Sequence, residues 1–409
     1  MSLTLLLDLD DTLLQNDIDS FLPHYLGSFS KEAAAYVDPD RFVKTLLAGT
    51  QAMVKNRRPD CTLREVFDAA FYPALGVNPG EFQSLADDFY SRVFPKLQSL
   101  TRSRPEAVEL VEAAKKRGYQ LVVATNPLFP LTAILQRLTW AELPIDKYRF
   151  DLITSYETFH FVKPEPSYYA EIMARLGWPS GAVLSVGDDL GRDITASRRL
   201  GLPAFWLARD GIPLPEGADA PSASGNLADV LPWLDSTPEE KLQPDYTTPT
   251  AMLAILRSTP AALDSLCRPL SEKVRKTRPQ PNEWCLTEIL CHLRDVDQGV
   301  NAPRVIKVLE NENPFLPGED TDRWAEARNY MLQDGLEALK QFTACRMKLL
   351  DTLEAMPAES WKRPARHAIF GPTDLAEMVG IISGHDRLHI QQVHQVLNAV
   401  PQMGDHQQR

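Results

Sequence analysis

Four short apolar runs in the first half of the chain, residues 3–7, 120–124, 150–153 and 182–186, constrain its fold more than any other feature. Their apolar residues are contiguous rather than alternating, which reads as strands buried on both faces. Helical patterns separate them. Residues 104–118, for example, place apolar side chains at helical spacing and stop on a glycine. Strand–helix alternation of this kind predicts the α/β class, a doubly wound parallel sheet wrapped by helices. Residues 15–101 interrupt the alternation with helical character throughout, too long a segment for a loop, and are expected to form an inserted helical cap.

The pattern ends at a polar stretch, 235–249, where Pro238, Pro244 and Pro249 forbid a continuous helix. Beyond it four amphipathic stretches, 250–266, 286–310, 321–356 and 373–400, fit an all-α, antiparallel four-helix bundle. The expected organisation is a domain over 1–235 (core 1–14 and 102–235, cap 15–101), a linker over 236–249, a bundle over 250–400 and a tail over 401–409. A length of 409 residues agrees with two domains.

Composition narrows the function. Acids outnumber bases 55 to 43, and a net charge of −12 repels a phosphate backbone, so no nucleic-acid partner is expected. Five cysteines, an odd number without paired short spacings, suit a reducing compartment. The start, MSLTLLLDLDDT, has no basic segment before its apolar run, and no stretch of about 18 apolar residues occurs, so neither a signal peptide nor a membrane span is expected. A cytoplasmic protein is the default expectation.

In doubly wound folds chemistry collects at the carboxyl ends of the strands. There the sequence places Asp8, Asp10 and Asp11, then Thr125 and Asn126, then Lys163, then Asp188, Asp189 and Asp193. A pocket gathering Asp8, Asp10, Asp188 and Asp193 needs a cation, and an all-oxygen donor set suits Mg²⁺. Lys163 and the Thr125 hydroxyl add positive charge and hydrogen bonds for a phosphoryl group, and a carboxylate is available as its nucleophile. The ordered set DLDDT, VVATN, VKPEP and VGDDLGRD resembles the four motifs of the haloacid dehalogenase-like hydrolases, over residues 1–235. The resemblance implies that Asp8 is the nucleophile that forms an aspartyl-phosphate and that Asp10 is the general acid and base. It also implies that Thr125 and Lys163 hold phosphoryl oxygens, and that Asp8, the Asp10 carbonyl, Asp188 and Asp193 bind Mg²⁺. Dehalogenating members lack the second acid, so Asp10 favours hydrolysis of a small phosphorylated metabolite. Asp11 and Asp189 read as secondary. Phe21, His24, Tyr25, Arg41, Lys44, Arg57 and Arg58 are cap residues able to meet a substrate or to serve as ordinary core and surface. His160 reads as structural.

Six of the eight histidines follow residue 290. His385 and His389 lie four apart on a predicted helix, so both project from one face, and His292 lies on another. Three imidazoles suit Zn²⁺ or another divalent transition metal. Trp284 reads as a core anchor, and Cys285 and Cys291 as buried fillers. The order Trp284, Glu288, His292, then His385, Asp386, His389, Gln392, resembles the DinB/YfiT-like four-helix bundles. That implies a metal triad of His292, His385 and His389, and in some relatives activation of a low-molecular-weight thiol. Two alternatives therefore stand beside phosphatase chemistry. The principal activity resides in the bundle as a metal-dependent thiol transferase or isomerase, or the bundle is a non-catalytic module that makes a homodimer.

Overall fold

Parallel partners on both sides of Leu3–Leu7 (β1) make this fully buried run the middle of a sheet. The computed structural model describes residues 2–208, 214, 216–217, 219–321 and 323–400, and the expected tail at 401–409 lies outside them. After β1 come a two-residue strand, Leu14–Gln15 (β2), and the helices Ile18–Ala33 (α1), Pro39–Lys55 (α2), Leu63–Leu75 (α3) and Pro79–Asp88 (α4). Arg102–Ser103 (β3) then pairs antiparallel with β2 and closes the neck of the insertion. The alternation resumes with Pro105–Lys116 (α5), Gln120–Val123 (β4), Leu131–Trp140 (α6), Leu152–Ile153 (β5), Pro166–Arg175 (α7), Ala182–Gly187 (β6), Ala196–Leu200 (α8), Ala204–Leu207 (β7), Ala223–Gly225 (β8) and Val230–Ser236 (α9). The sheet is all-parallel, in the order β5-β4-β1-β6-β7-β8. Two of its strands, β7 and β8, are not among the four expected runs. β7 is a fully buried apolar run, Ala-Phe-Trp-Leu, that the sequence reading passed over, whereas β8 reads Ala-Ser-Gly and carries no apolar signal.

The insertion forms helices for local reasons. Asp17, Asp38 and Asn78 cap α1, α2 and α4 through their side chains, and Thr62 with Glu65 makes a reciprocal capping box on α3. Its interior is aromatic. Phe29 stacks on Phe89 at 4.1 Å, Phe42 and Phe71 meet Phe82, and Phe94 stacks on Trp140 of α6 at 5.2 Å. Each such pair contributes about 0.5–1.5 kcal/mol beyond its buried area, and the last fastens the insertion to the sheet-bearing part.

Close contacts divide the chain into two compact units, Met1–Ile172 with Ser180–Asp245, and Met173–Pro179 with Tyr246–Arg409. The segment expected as a linker is therefore partly structural. Leu242 is fully buried, and the Asp245 amide donates to the Gly201 carbonyl at 2.9 Å.

The second unit contains Pro249–Cys267 (α10), Glu272–Arg275 (α11), Leu286–Val296 (α12), Ala302–Glu310 (α13), Phe315–Leu316 (β9), Trp324–Ala327 (α14), Gly335–Ala355 (α15), Pro364–His367 (β10), Gly371–Asp374 (β11) and Leu375–Ala399 (α16). The bundle is made by α10, α12, α15 and α16. A π-turn, Asp297–Asn301, joins α12 to α13. The stretch 321–356 is not one helix. Asn329 adopts φ 51°, and Asp334 caps a fresh helix start, so only α15 continues through the bundle. A small sheet, β11-β10-β9, was not expected either. No helix among the described residues is long and apolar enough to cross a membrane.

Candidate functional site

At the carboxyl end of β1 and β6, Asp8, Asp188 and Asp193 each bring a carboxylate oxygen to within 4.8 Å of the others. Asp8 follows the last residue of β1, and Asp188 follows Gly187, the last of β6. Asp193 sits in a π-turn, Leu190–Thr195, whose first amides are capped by Asp189 Oδ1 at 2.9 Å. Asp193 Oδ2 accepts from the Asp189 amide at 3.0 Å. Gly187 is required here, because a Cβ would lie 2.3–2.4 Å from the Asp193 side chain.

Lys163 Nζ donates to Asp8 Oδ1 at 2.7 Å and to Asp193 Oδ1 at 2.5 Å, and all three side chains are buried. Burial opposes the lysine's charge, but Asp193 and Asp8 outweigh it and hold the ammonium above its usual range. Burial pushes the Asp8 carboxyl well above its ordinary value, Lys163 opposes this, and Asp193 reinforces it. With Asp188 beside this pair, carboxylates outnumber the cation three to one. An additional cation is what such a cluster lacks, and three carboxylates form the hard-oxygen donor set that suits Mg²⁺. Thr125 follows β4 and Ala124, whose amide donates to Leu7 at 2.7 Å. Its carbonyl is gripped by Thr154 Oγ1 and Tyr168 Oη, both at 2.7 Å.

Asp10 is placed differently. Its carboxylate accepts from Asn16 Nδ2 at 2.7 Å and from Arg137 Nη1 at 2.5 Å, and its side chain keeps about a quarter of its surface exposed. Asp11 has a left-handed backbone, φ 54°, and its side chain accepts the Asn16 amide, so it shapes the turn. Sequence reasoning missed Arg137 and Asn16. The available signal was an arginine at a core position of α6, between Ala133, Ile134 and Leu138. Of the cap candidates, Phe21 and Tyr25 are buried among aromatics, and Tyr25 shares a 2.9 Å hydroxyl hydrogen bond with Tyr90. His24, Arg41 and Lys44 face solvent, Arg57 pairs with Glu165, and Arg58 pairs with Asp60. His160 is buried against Glu171 at 2.8 Å, a structural contact.

The second unit gathers His292 of α12 with His385 and His389 of α16. Nε2 of His385 lies 3.2 Å from that of His292 and 3.0 Å from that of His389. Four-coordinate binding at about 2.0–2.1 Å per nitrogen puts neighbouring ligand atoms about 3.3 Å apart, so the tripod has the span of a metal site. Burial lowers the three imidazoles to about 3, 4 and 4 respectively, with mutual repulsion adding to it at His292 and His389, and this keeps them neutral. His389 Nδ1 meets Gln392 Oε1 at 2.9 Å, which turns its Nε2 lone pair inward. The buried Nδ1 atoms of His292 and His385 have no partner among the described residues.

Trp284 is half-buried rather than a core anchor, and its ring runs parallel to that of His389 at 6.2 Å. Together with Asn282, Glu283, Thr321 and Gln395 it lines a cavity of about 500 Å³ at the tripod. Cys285 and Cys291 are buried fillers, their thiols pushed up to about 11 and 12 by burial.

Residues 3–201 match the family model of the haloacid dehalogenase-like hydrolases, and residues 255–393 that of the DinB superfamily. The chain is 28% identical over 207 residues to a phosphoglycolate phosphatase of Aquifex aeolicus, covering 49% of this chain and 84% of the relative. It is 28% identical over 124 residues to a ribulose-1,5-bisphosphate 5-phosphatase of Halopiger xanaduensis, covering 30% of this chain and 48% of that protein. Among solved structures, the four-helix bundle protein YfiT from Bacillus subtilis aligns with a TM-score of 0.34 at 18% identity, over 36% of this chain and 84% of YfiT.

Proposed function

Because this chain joins a haloacid dehalogenase-like hydrolase domain to a DinB-superfamily domain, we propose that it is a Mg²⁺-dependent phosphatase of small phosphate monoesters, with a second divalent-metal centre in its bundle. The observation that carries the first reading is Lys163 bridging Asp8 and Asp193 in a cluster that Asp188 completes. Asp8 attacks phosphorus, and the ester P–O bond breaks as Asp10 gives its proton to the leaving oxygen. Asp10, now a carboxylate, takes a proton from water, which attacks the aspartyl-phosphate, frees phosphate and restores Asp8. Lys163 and Thr125 hold the phosphoryl oxygens while charge builds on them. Asp8, Asp188 and Asp193, with the Asp10 carbonyl, would hold a magnesium ion that supplies Lewis-acid stabilisation of the transferring group.

The substrate class agrees with the names of two of the curated relatives, a phosphoglycolate phosphatase and a ribulose-1,5-bisphosphate 5-phosphatase. The test is phosphate release from a panel of such esters with Mg²⁺. Wild-type protein releases phosphate and Asp8→Asn does not; turnover by the variant equal to wild type removes the mechanism. The bundle reading rests on three Nε2 atoms converging at 3.0–3.2 Å beside a cavity. His292, His385 and His389 would hold Zn²⁺ or a similar ion there.

A further inference from the structure

Arg137 is 1% exposed, yet it is only partly paired. Its Nη1 donates to Asp10 Oδ2, while Nε and Nη2 are buried with no partner among the described residues. These two atoms form one edge of the guanidinium, and the same edge grips carboxylates elsewhere in this protein. Arg58 holds Asp60 through Nε at 3.0 Å and Nη2 at 2.9 Å, and Arg278 holds Glu288 through Nε at 2.9 Å and Nη2 at 2.5 Å. A planar fork of this kind matches a carboxylate or phosphate with two parallel hydrogen bonds. Leaving it unmade in a buried position is costly, because the desolvation of each N–H is uncompensated.

The unpaired edge is not isolated. Asn16, the other residue bonded to the Asp10 carboxylate, has a buried and unpaired Oδ1, and so does Thr12 at its Oγ1. Gln136, next to Arg137, donates to the Tyr90 carbonyl at 2.5 Å while its Oε1 is buried and unpaired. Phe129 covers the guanidinium at 4.7 Å and touches Tyr25 of the cap at 5.3 Å. Both residues that hold the carboxylate assigned to protonate the leaving group, Arg137 and Asn16, therefore carry unmet polar atoms of their own. A leaving alcohol must sit against Asp10, so groups attached to it reach the same place.

We propose that Arg137 is a specificity-determining residue, and that its Nε/Nη2 edge receives an anionic group, a carboxylate or a second phosphate, carried by the leaving alcohol within a few bonds of the ester oxygen. This rests on the phosphatase reading and names its substrate class.

The experiment compares kcat/KM for 2-phosphoglycolate, its neutral amide and the bisphosphate of a short diol, in wild type, Arg137→Gln and Arg137→Lys. The ratio of anionic to neutral substrate is the readout, since any disturbance of Asp10 lowers both alike. Wild type prefers one or both anionic substrates by about 10- to 100-fold, the range expected for hydrogen bonds to a charged group. The arm that is preferred tells carboxylate from phosphate. Arg137→Gln brings the ratio close to one, and Arg137→Lys, which keeps the charge without the fork, leaves an intermediate value. A wild-type ratio near one, or a ratio that Arg137→Gln and Arg137→Lys leave unchanged, overturns the inference while hydrolysis of the amide leaves the phosphatase reading standing. Should Arg137→Gln fail to fold, the wild-type ratio and Arg137→Lys still decide. Absence of Asp8-dependent turnover with every ester overturns both readings.

Discussion

At the residue scale, the first site is a problem of crowded charge. Two carboxylates grip one buried ammonium with a third beside them, and the place of Asp193 depends on the backbone at the end of β6. Gly187 is the clearest case. A methyl group there would have to share space with the Asp193 side chain, which is itself pinned by Lys163 and by the Asp189 amide. Gly187→Ala should therefore displace Asp193, lowering kcat at least about tenfold and stability by about 1–3 kcal/mol, as overpacking of a tight interior does. Steady-state kinetics and thermal melting check this, and a variant with wild-type values for both would show that the turn relaxes freely. Asp8, Thr125 and Asp188 were legible from sequence because each lies within two residues of a strand end and needs only the local chain to reach its place, whereas Asp193 follows in the next turn and Lys163 ten residues beyond β5. Asp10 was legible as a residue but not in its surroundings, since Asn16 and Arg137 approach it from a neck turn and from a helix 127 positions away.

At the element scale, one arginine organises the bundle. Arg346 on α15 is fully buried. Its Nε and Nη2 donate to Asp297 at 2.8 and 2.9 Å, Nη2 also reaches Asp386 at 3.0 Å, and Nη1 donates to the Leu256 carbonyl at 3.1 Å. It thus ties together α10, the π-turn after α12, and α16 one residue from His385. Its guanidinium is held above its already high range, since the two aspartates outweigh the cost of burial. Arg346→Met would leave Asp297 and Asp386 buried without their cation, at a cost of about 3–5 kcal/mol. Loss of the bundle's thermal transition, or a large fall in its midpoint, is the expected outcome. A midpoint within error of wild type would mean that the carboxylates escape to water or take up protons at no cost. The helical stretches themselves were visible in sequence. The break at Asn329 was not, because a left-handed residue inside an amphipathic pattern leaves the periodicity almost intact.

At the scale of the whole molecule, the imidazole tripod links stability to pH. The folded values, about 3, 4 and 4, lie below the ordinary 6.5, so the unfolded chain binds more protons across that interval. The contribution of these groups is present in full above pH 6.5 and is lost as pH falls toward about 4. In metal-free protein, lowering the pH from about 7 to about 5 should depress the melting midpoint more in wild type than in His292→Leu/His385→Leu/His389→Leu. Parallel declines would place the acid sensitivity elsewhere. Added Zn²⁺ should raise the wild-type midpoint and not that of the triple variant, because a ligand that binds only the folded state stabilises it by mass action.

What the sequence determined by itself is what short-range physics controls. Apolar runs bounded by polar residues became strands β1, β4, β5 and β6, capping residues and helical periodicity became the insertion and the bundle helices, and the aspartates that follow β1 and β6 became the acidic part of the first site. Two histidines one turn apart were bound to share a helix face. The tertiary structure alone decided the rest: the edge strand β8, the burial of Leu242 in the core of the first unit, the stacking of Trp284 on the tripod, and the half-paired fork of Arg137 against Asp10. Each of these depends on side chains far apart in the chain being packed together, and local propensity carries no information about which distant surface a buried polar group will meet.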